Sequence, residues 1–284
     1  MSVSGLSLQP SLLFRFLSAV IFIPILLIVN TLGGLPYITF VLAIILVSLF
    51  EFYKMAEAKG LEVPKNIGIL SGLFLCLAFS KRNQPILPGS EWLIGASMVC
   101  IMLGLVFLLG KGKVSNIYLN ISTLLAGICY IVLPLGCFLL LRGMGDEPWK
   151  SRSYALLPYF LTWFCDTFAY VIGLALGHHK LASTISPNKT VEGAVGGIIG
   201  AVTGGILSKV ISAPYLTWWD ALALGVLVGI FGQIGDLVES AMKRNAGIKD
   251  SSKIIPGHGG ALDRFDSFIF TVPLIYFYLR LFVV

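Results

Sequence analysis

The sequence is poor in charge: only 12% of its 284 residues are Asp, Glu, Lys or Arg, whereas 57% are hydrophobic. Soluble domains are about half apolar and about a quarter charged, so this balance excludes a soluble protein. Several apolar stretches reach the roughly 20 residues that a helix needs to cross the hydrocarbon core of a bilayer. We therefore expect an all-α integral membrane protein, because helices satisfy their own backbone polar groups in lipid.

The sequence also lacks metal-binding cysteine patterns, internal repeats and low-complexity tracts. Its five cysteines lie in apolar stretches, without CxxC spacing or a nearby histidine, and are interpreted as packing residues. The absence of repeats argues against a secondary transporter, whose halves are often related. No soluble segment interrupts the chain, so residues 1–284 are expected to form a single membrane domain. A net charge of +6 does not by itself indicate nucleic acid, and no such partner is expected.

Apolar runs between charged residues, Pro and Gly predict a bundle of about nine transmembrane helices. The predicted spans are 12–33, 35–53, 66–80, 92–109, 118–141, 154–177, 191–211, 217–238 and 267–284. With the N-terminus in the cytoplasm, 13 of the 20 Lys and Arg residues fall on the cytoplasmic side, as the positive-inside rule requires. The C-terminus then lies on the opposite side. Because no long transit segment precedes the first span, we expect a bacterial inner membrane.

Most polar residues that could bind an anion or a metal fall in two predicted cytoplasmic loops, 178–190 and 239–266. The second loop surrounds a Gly-His-Gly-Gly turn, residues 257–260, with five cations. These cations are Lys243, Arg244, Lys249, Lys253 and Arg264. Glycine N–H groups and basic side chains together suit phosphate oxygens. A loop that only touches anionic lipid would explain the Lys and Arg residues, but neither the turn nor the aspartates that follow it.

Those aspartates, Asp263 and Asp266, are three residues apart. If the last helix begins at Leu262, both carboxylates lie on one helix face, within reach of a shared cation. Carboxylates suit Mg²⁺, which takes its remaining oxygens from water and from substrate phosphates. The second loop therefore predicts a site for a metal-bound polyphosphate.

Two further acids lie in apolar sequence, where an unpaired charge costs about 3 kcal/mol or more and indicates function by default. Asp236 ends the eighth predicted span, one turn before Ser240, and could face the same cavity as Asp263. Alternatively, it is a helix-end carboxylate that pairs with Lys243 or Arg244, about two turns later. Asp166 lies in the sixth span, with no cation on its own helix and no assigned partner. Glu51, at the end of the second span, is given no role because a nearby lysine could balance it.

The first loop ends immediately before the seventh predicted span. In one interpretation, Asn188 or Thr190 caps this helix and Glu192 complements the helix dipole. In the other, Ser186 and Lys189 hold phosphate oxygens at the helix N-terminus, where anions are favoured. The sequence leaves both open.

The second loop closely resembles the signature of phosphatidate cytidylyltransferases, also called CDP-diacylglycerol synthases. The matching residues are Ser240, Lys243, Arg244, Lys249, Asp250, Ser252, Ile255, Pro256, His258, Gly259, Gly260, Asp263, Arg264, Phe265 and Asp266. Ala261 departs from the pattern, since the family usually has a larger aliphatic residue or Met there. The resemblance extends to 163–170, 186–193 and 235–240, which makes 154–284 the signature-bearing catalytic half.

The resemblance implies a nine-helix homodimer whose cavity opens to the cytoplasm and to lipid. It implies CTP and phosphatidic acid as substrates, with Asp236 and Asp263 holding Mg²⁺ near a monovalent cation such as K⁺. These two aspartates would share catalytic roles with Lys249, His258 and Asp266. Substrate contacts are expected from Ser186, Lys189, Lys243, Arg244, Asp250, Gly259, Gly260, Arg264 and Asp166.

The expected reaction is attack by a phosphate oxygen of phosphatidic acid on the α-phosphorus of CTP, which releases pyrophosphate. A phosphomonoester is already nucleophilic near neutral pH, so no protein nucleophile is needed. Two alternatives stay open. A CTP-dependent polyprenol or phytol kinase would transfer the γ-phosphate instead, and a membrane transporter would also use intramembrane acids beside a basic vestibule.

Overall fold

The computed structural model describes residues 10–80, 90–110, 116–252, 254 and 259–284. Within them the chain is almost entirely α-helical, with one short antiparallel hairpin. The helices are α1 Pro10–Leu32, α2 Gly34–Ala58, α3 Lys65–Ser80, α4 Ser90–Gly110, α5 Ile117–Gly127, α6 Leu133–Arg142, α7 Pro148–Leu176, α8 Val191–Ile211, α9 Trp218–Asn245 and α10 Leu262–Phe282. The strands are β1 Lys180–Ala182 and β2 Ser186–Thr190.

Helices α5 and α6 are joined without a break by a π-helical turn, Ile128–Val132, so they form one rod, Ile117–Arg142. Counted this way, the described residues contain nine rods, one for each predicted span. Seven of them are long and apolar enough to cross a membrane; α3 and the Val20–Leu32 part of α1 are shorter. The prediction of an all-α polytopic membrane protein is confirmed.

Four predicted span boundaries differ from the helices by five residues or more, and the first is the end of α2, which lies at Ala58 rather than 53. Helix α7 begins at Pro148 rather than 154, and its proline suits the first helical turn, where no N–H partner is needed. Helix α9 runs to Asn245 rather than 238, and α10 begins at Leu262 rather than 267. Charged residues in these terminal turns interrupt the apolar pattern but not the helix, so hydropathy alone makes the predicted spans shorter than the helices.

Glycines allow α8 to approach its neighbours closely. A Cβ atom added at Gly196 would lie 2.7 Å from the Cβ of Ile172 on α7. One added at Gly229 of α9 would lie 2.7 Å from the Cα of Ile198 on α8. The four-residue glycine spacing thus provides bare faces for backbone contact, as in other membrane helix pairs. The predicted tight packing of the seventh and eighth spans is confirmed.

The outer surface is apolar where lipid would contact it. On α4, Met98, Met102, Val106 and Leu109 recur at intervals of three or four residues and are all more than half exposed. Such a stripe would be unfavourable in water over this length. It suits a helix that faces hydrocarbon, which agrees with the composition.

An aromatic cluster connects the two halves of the chain beside the start of α10. Phe138 of α6 stacks on Tyr159 of α7, with ring centroids 4.9 Å apart. Phe268 of α10 contacts both rings, at 5.8 Å from Phe138 and 5.2 Å from Tyr159. Each such pair contributes about 0.5–1.5 kcal/mol beyond its burial. The first turns of α10, which carry Asp263 and Asp266, are therefore held against helices from earlier in the chain.

Candidate functional site

A polar site forms where the β-hairpin, the last turns of α9 and the start of α10 meet. The hairpin lies within the predicted first loop, and Lys189 on β2 points to α9. Its Nζ lies 2.6 Å from Oδ2 of Asp236, whose side chain is 36% exposed. Ser240, one turn later on α9, donates to Oδ1 of Asp236 at 3.2 Å. The sequence motif around Lys189 is thereby joined to the motif around Asp236.

Lys243 connects α9 to α10 through two carboxylates. Its Nζ lies 2.5 Å from Oε2 of Glu239 and 2.6 Å from Oδ1 of Asp263, and its side chain is only 11% exposed. The alternative in which Asp236 pairs with a later basic residue of its own helix is therefore not what the structure shows. Arg244 instead donates to the backbone oxygens of Ile185 and Ile248.

Asp263, in the first turn of α10, organises the chain that precedes it. Its Oδ2 accepts hydrogen bonds from the backbone N–H of Ser251 at 2.9 Å and of Gly260 at 2.7 Å. The Ser251 hydroxyl lies 2.9 Å from the same oxygen. Gly259 has φ +81°, a left-handed conformation that favours glycine. The Asp263 carboxylate thus joins both Ser251 and Gly260 to the first turn of α10.

Glu51, near the C-terminal end of α2, is fully buried and contacts the same segment. Its Oε1 accepts from the Ser252 hydroxyl at 2.5 Å and from the Ala261 N–H at 3.1 Å. Its Oε2 accepts from the Ser251 hydroxyl at 3.0 Å and from the Leu262 N–H at 2.8 Å. Sequence reasoning missed this residue. The available signal was an acid inside an apolar helix, the same signal that singled out Asp166.

Three aspartates from three helices converge beside these contacts. Asp166 of α7, Asp236 of α9 and Asp266 of α10 are close enough to interact electrostatically, and Lys189 and Arg264 act on Asp166 as well. Asp166 is exposed although it lies in α7, a helix long and apolar enough to cross a membrane. The partner that sequence alone could not assign to Asp166 is this mixed-charge cluster.

Tyr130, in the π-helical turn of the α5–α6 rod, is a second residue that sequence reasoning missed. Its hydroxyl is buried and has no hydrogen-bond partner among the described residues. Asp236, Glu239 and Asp266 lie within electrostatic range of it. Single π turns occur frequently at functional sites. No sequence signal could have found Tyr130, because its position depends on a local change in helical winding.

The helix-capping interpretation of the first loop is confirmed for Thr190. Its Oγ1 accepts the N–H of Gly193 at 3.1 Å, while Glu192 accepts the backbone N–H groups of His178 and His179. Lys189 is left to face Asp236 rather than the helix end. The cap and the ion pair therefore coexist in one strand.

The remaining predicted site residues lie in the hairpin, between α9 and α10, or at the start of α10. Ser186 begins β2, while Lys249 and Asp250 are exposed between α9 and α10. Arg264 is exposed in the first turn of α10. His258 lies outside the described residues, as does Lys253.

The donor chemistry of this site suits Mg²⁺. An ionised carboxylate has about four lone-pair positions, so the two backbone N–H donors fill both positions on Oδ2 of Asp263, whereas Oδ1 accepts only from Lys243 among the described residues. Asp236 is accessible. No group of three acidic, histidine or cysteine ligands is arranged for a metal within the part of the chain that the structure describes. Mg²⁺ is usually held by one or two carboxylates, with water and substrate phosphates as its other ligands.

Fold and site together define a polytopic membrane protein whose mixed-charge site, at one end of the bundle, suits a phosphate-bearing ligand. The sequence profile of the cytidylyltransferase family matches residues 13–282, and the chain belongs to that family. A Synechocystis protein named phosphatidate cytidylyltransferase is 35% identical over 94% of this chain and 96% of its own length. Proteins of the same name from Staphylococcus epidermidis and Bacillus subtilis are each 34% identical, over 93% and 94% of this chain and 95% and 97% of their own lengths.

Proposed function

We propose that this chain is a nucleotidyltransferase that transfers the cytidylyl group of CTP to phosphatidic acid, forming CDP-diacylglycerol and pyrophosphate. One structural observation carries the assignment. The signature segments, far apart in sequence, are joined by two ion pairs, Lys189–Asp236 and Lys243–Asp263. The family match over nearly the whole chain and the names of its relatives support the same activity.

The main task of the site is to bring two anions together. Lys189 and Lys243 form ion pairs with carboxylates that orient them, and Arg244 and Arg264 are exposed nearby. Cations in this arrangement offset the repulsion between lipid phosphate and triphosphate and align the reactants. The lipid phosphate attacks directly, since its second ionisation lies near pH 6 by analogy with phosphorylated side chains.

A metal ion would complete this arrangement, and Asp236 and Asp263 are the residues we propose to hold Mg²⁺. When bound, Mg²⁺ supplies charge neutralisation at the CTP phosphates and at the departing pyrophosphate. A neighbouring K⁺ stays a prediction from the resemblance. So do catalytic roles for Lys249, His258 and Asp266.

Substrate contacts are proposed for the residues bordering the ion pairs. Gly259 and Gly260 lie in the turn, where the Gly260 N–H is bonded to Asp263 and the Gly259 N–H is proposed for substrate. Asp250 lies beside Gly259, and Ser186 begins β2 of the hairpin. Asp166 is exposed beside these charges, where the reactants would meet. The chain is proposed to work as one domain, because Glu51 and Tyr130 add N-terminal contacts to the catalytic half, 154–284.

The proposed setting is a bacterial inner membrane, with the N-terminus and the site in the cytoplasm and the C-terminus on the opposite side. The bacterial relatives support the kind of membrane. The excess of Lys and Arg on the proposed cytoplasmic side supports the orientation. A homodimer is proposed from the family resemblance.

The chemistry is tested by the position of a phosphorus label in CTP. Purified protein in lipid vesicles with phosphatidic acid should move an α-phosphate label into the lipid phase and release the γ label as pyrophosphate. A γ label in an added polyprenol or phytol would identify the kinase instead. If neither label reached the lipid phase, both enzyme assignments would be contradicted and the transporter would stay.

A further inference from the structure

Glu51 is the buried link between the first half of the chain and the signature segment. It lies on α2, about 200 residues before the groups that it contacts, and none of its side chain is exposed. An ion taken out of water costs several kcal/mol unless its lone pairs are satisfied. Here four donors satisfy it, two on each oxygen.

The geometry requires a carboxylate at this position. Each oxygen of Glu51 accepts one backbone N–H, from Ala261 on Oε1 and from Leu262 on Oε2. Serine hydroxyls can reverse their direction, but a backbone N–H can only donate. Both oxygens must therefore be acceptors. A glutamine of the same shape would satisfy one N–H and place its own NH₂ group against the other.

The contacts of Glu51 continue to Asp263 through one hydroxyl. Ser251 Oγ lies 3.0 Å from Oε2 of Glu51 and 2.9 Å from Oδ2 of Asp263. Leu262, whose N–H is bonded to Glu51, immediately precedes Asp263 at the start of α10. Gly260 packs so closely on Glu51 that an added Cβ would lie 2.5 Å from Oε2. The Glu51 carboxylate thus holds the first residues of α10 in place and, with them, the position of the Asp263 side chain.

We infer that Glu51 is a positioning residue of the active site: it holds the start of α10, and through it Asp263, in the reactive arrangement. The inference rests on the proposed cytidylyltransferase activity. Glu51 would not touch substrate itself. Its loss should therefore lower kcat while leaving the KM values for CTP and phosphatidic acid nearly unchanged.

The test compares Glu51→Gln with Glu57→Gln in the full-length protein in lipid. Glu57 lies on the same helix, and its partly exposed carboxylate pairs with Lys65 at 2.8 Å, away from the signature segment. We expect Glu51→Gln to lower kcat by about 10- to 100-fold, with both KM values within about twofold of wild type. Glu57→Gln should behave as wild type.

Amide hydrogen exchange supplies a readout that does not depend on activity. In Glu51→Gln, the amides of Ala261 and Leu262 should exchange at least about tenfold faster, while peptides from α4 and α8 stay unchanged. Normal kcat in a folded Glu51→Gln protein would overturn the inference. So would a loss of kcat with unchanged exchange at 261–262, or with faster exchange spread through all helices.

Ser252→Ala keeps the inference testable if Glu51→Gln fails to fold. This change removes a single donor to Glu51, so we expect about a threefold loss of kcat with faster exchange confined to 261–262. Wild-type kcat and exchange in Ser252→Ala would contradict the inference. If the α-label experiment failed but exchange changed as expected, the activity would be wrong and the positioning contact would stand.

Discussion

Replacing Asp263 by Asn is expected to reduce cytidylyl transfer by about 10³-fold or more, while the protein still inserts into the membrane. The carboxylate accepts from Lys243 on one oxygen and from Ser251 and Gly260 on the other. Asn offers one acceptor, so its NH₂ must face either the Lys243 ammonium or two backbone N–H groups. The change also removes the negative charge that we propose for the metal site.

The measurement is kcat for the purified Asp263→Asn variant in vesicles, with membrane insertion checked by protease accessibility. Asp146→Asn is the matched control, because Asp146 is exposed before α7 and belongs to no part of the site. Turnover of Asp263→Asn within about tenfold of wild type would remove Asp263 from the catalytic machinery.

Replacing Gly260 by Ala is expected to have a comparably large effect for a steric reason. The added Cβ would lie 2.5 Å and 2.6 Å from the two carboxylate oxygens of Glu51 and would also meet the Ser251 hydroxyl. Real Cβ atoms do not approach so closely, and the Glu51 carboxylate cannot move without losing its bonds to Ala261 and Leu262. The start of α10 must shift instead.

We expect Gly260→Ala to lose at least about 10²-fold in kcat, by analogy with the loss of a single positioned donor at an active site. Gly95→Ala serves as control, because a Cβ at Gly95 of α4 meets nothing within 4 Å. The two variants are compared in the same vesicle assay. If both retained wild-type kcat, the tight packing around Glu51 would have no bearing on catalysis.

Much of the fold follows from periodicity and length. Each predicted apolar span has a matching helix among the described residues, and the glycine-spaced faces of α8 and α9 do meet. The ends of α9 and α10 were misplaced because charged turns such as Lys243–Arg244 interrupt hydropathy without ending a helix. The hairpin that carries Lys189 was predicted only as a loop, since its two strands together contain just eight residues.

The candidate site was predictable where its residues cluster in sequence. Lys189, Asp236, Lys243 and Asp263 were proposed from sequence, and the structure joins them into two ion pairs. Their exact pairing was not predictable, because it depends on how α9 faces β2 and α10. The Mg²⁺ assignment stays a prediction.

The contribution of the first half of the chain to the site was not predicted from the sequence. Glu51 looked like an acid balanced by a nearby lysine, since nothing local reveals a partner about 200 residues later. Tyr130 depends on a π turn that composition does not signal. In both cases the surroundings of the side chain come from helices far away in sequence, which a local sequence pattern does not reveal.

The central claim is that the lipid phosphate attacks the α-phosphorus of CTP directly, aligned by this site and without a covalent enzyme intermediate. It is tested most directly with one diastereomer of CTP that carries sulfur on the α-phosphorus, followed by ³¹P NMR of the thio-CDP-diacylglycerol formed. A single in-line displacement predicts inverted configuration at that phosphorus. Retained configuration would reveal two successive displacements through a cytidylylated residue and would contradict the account.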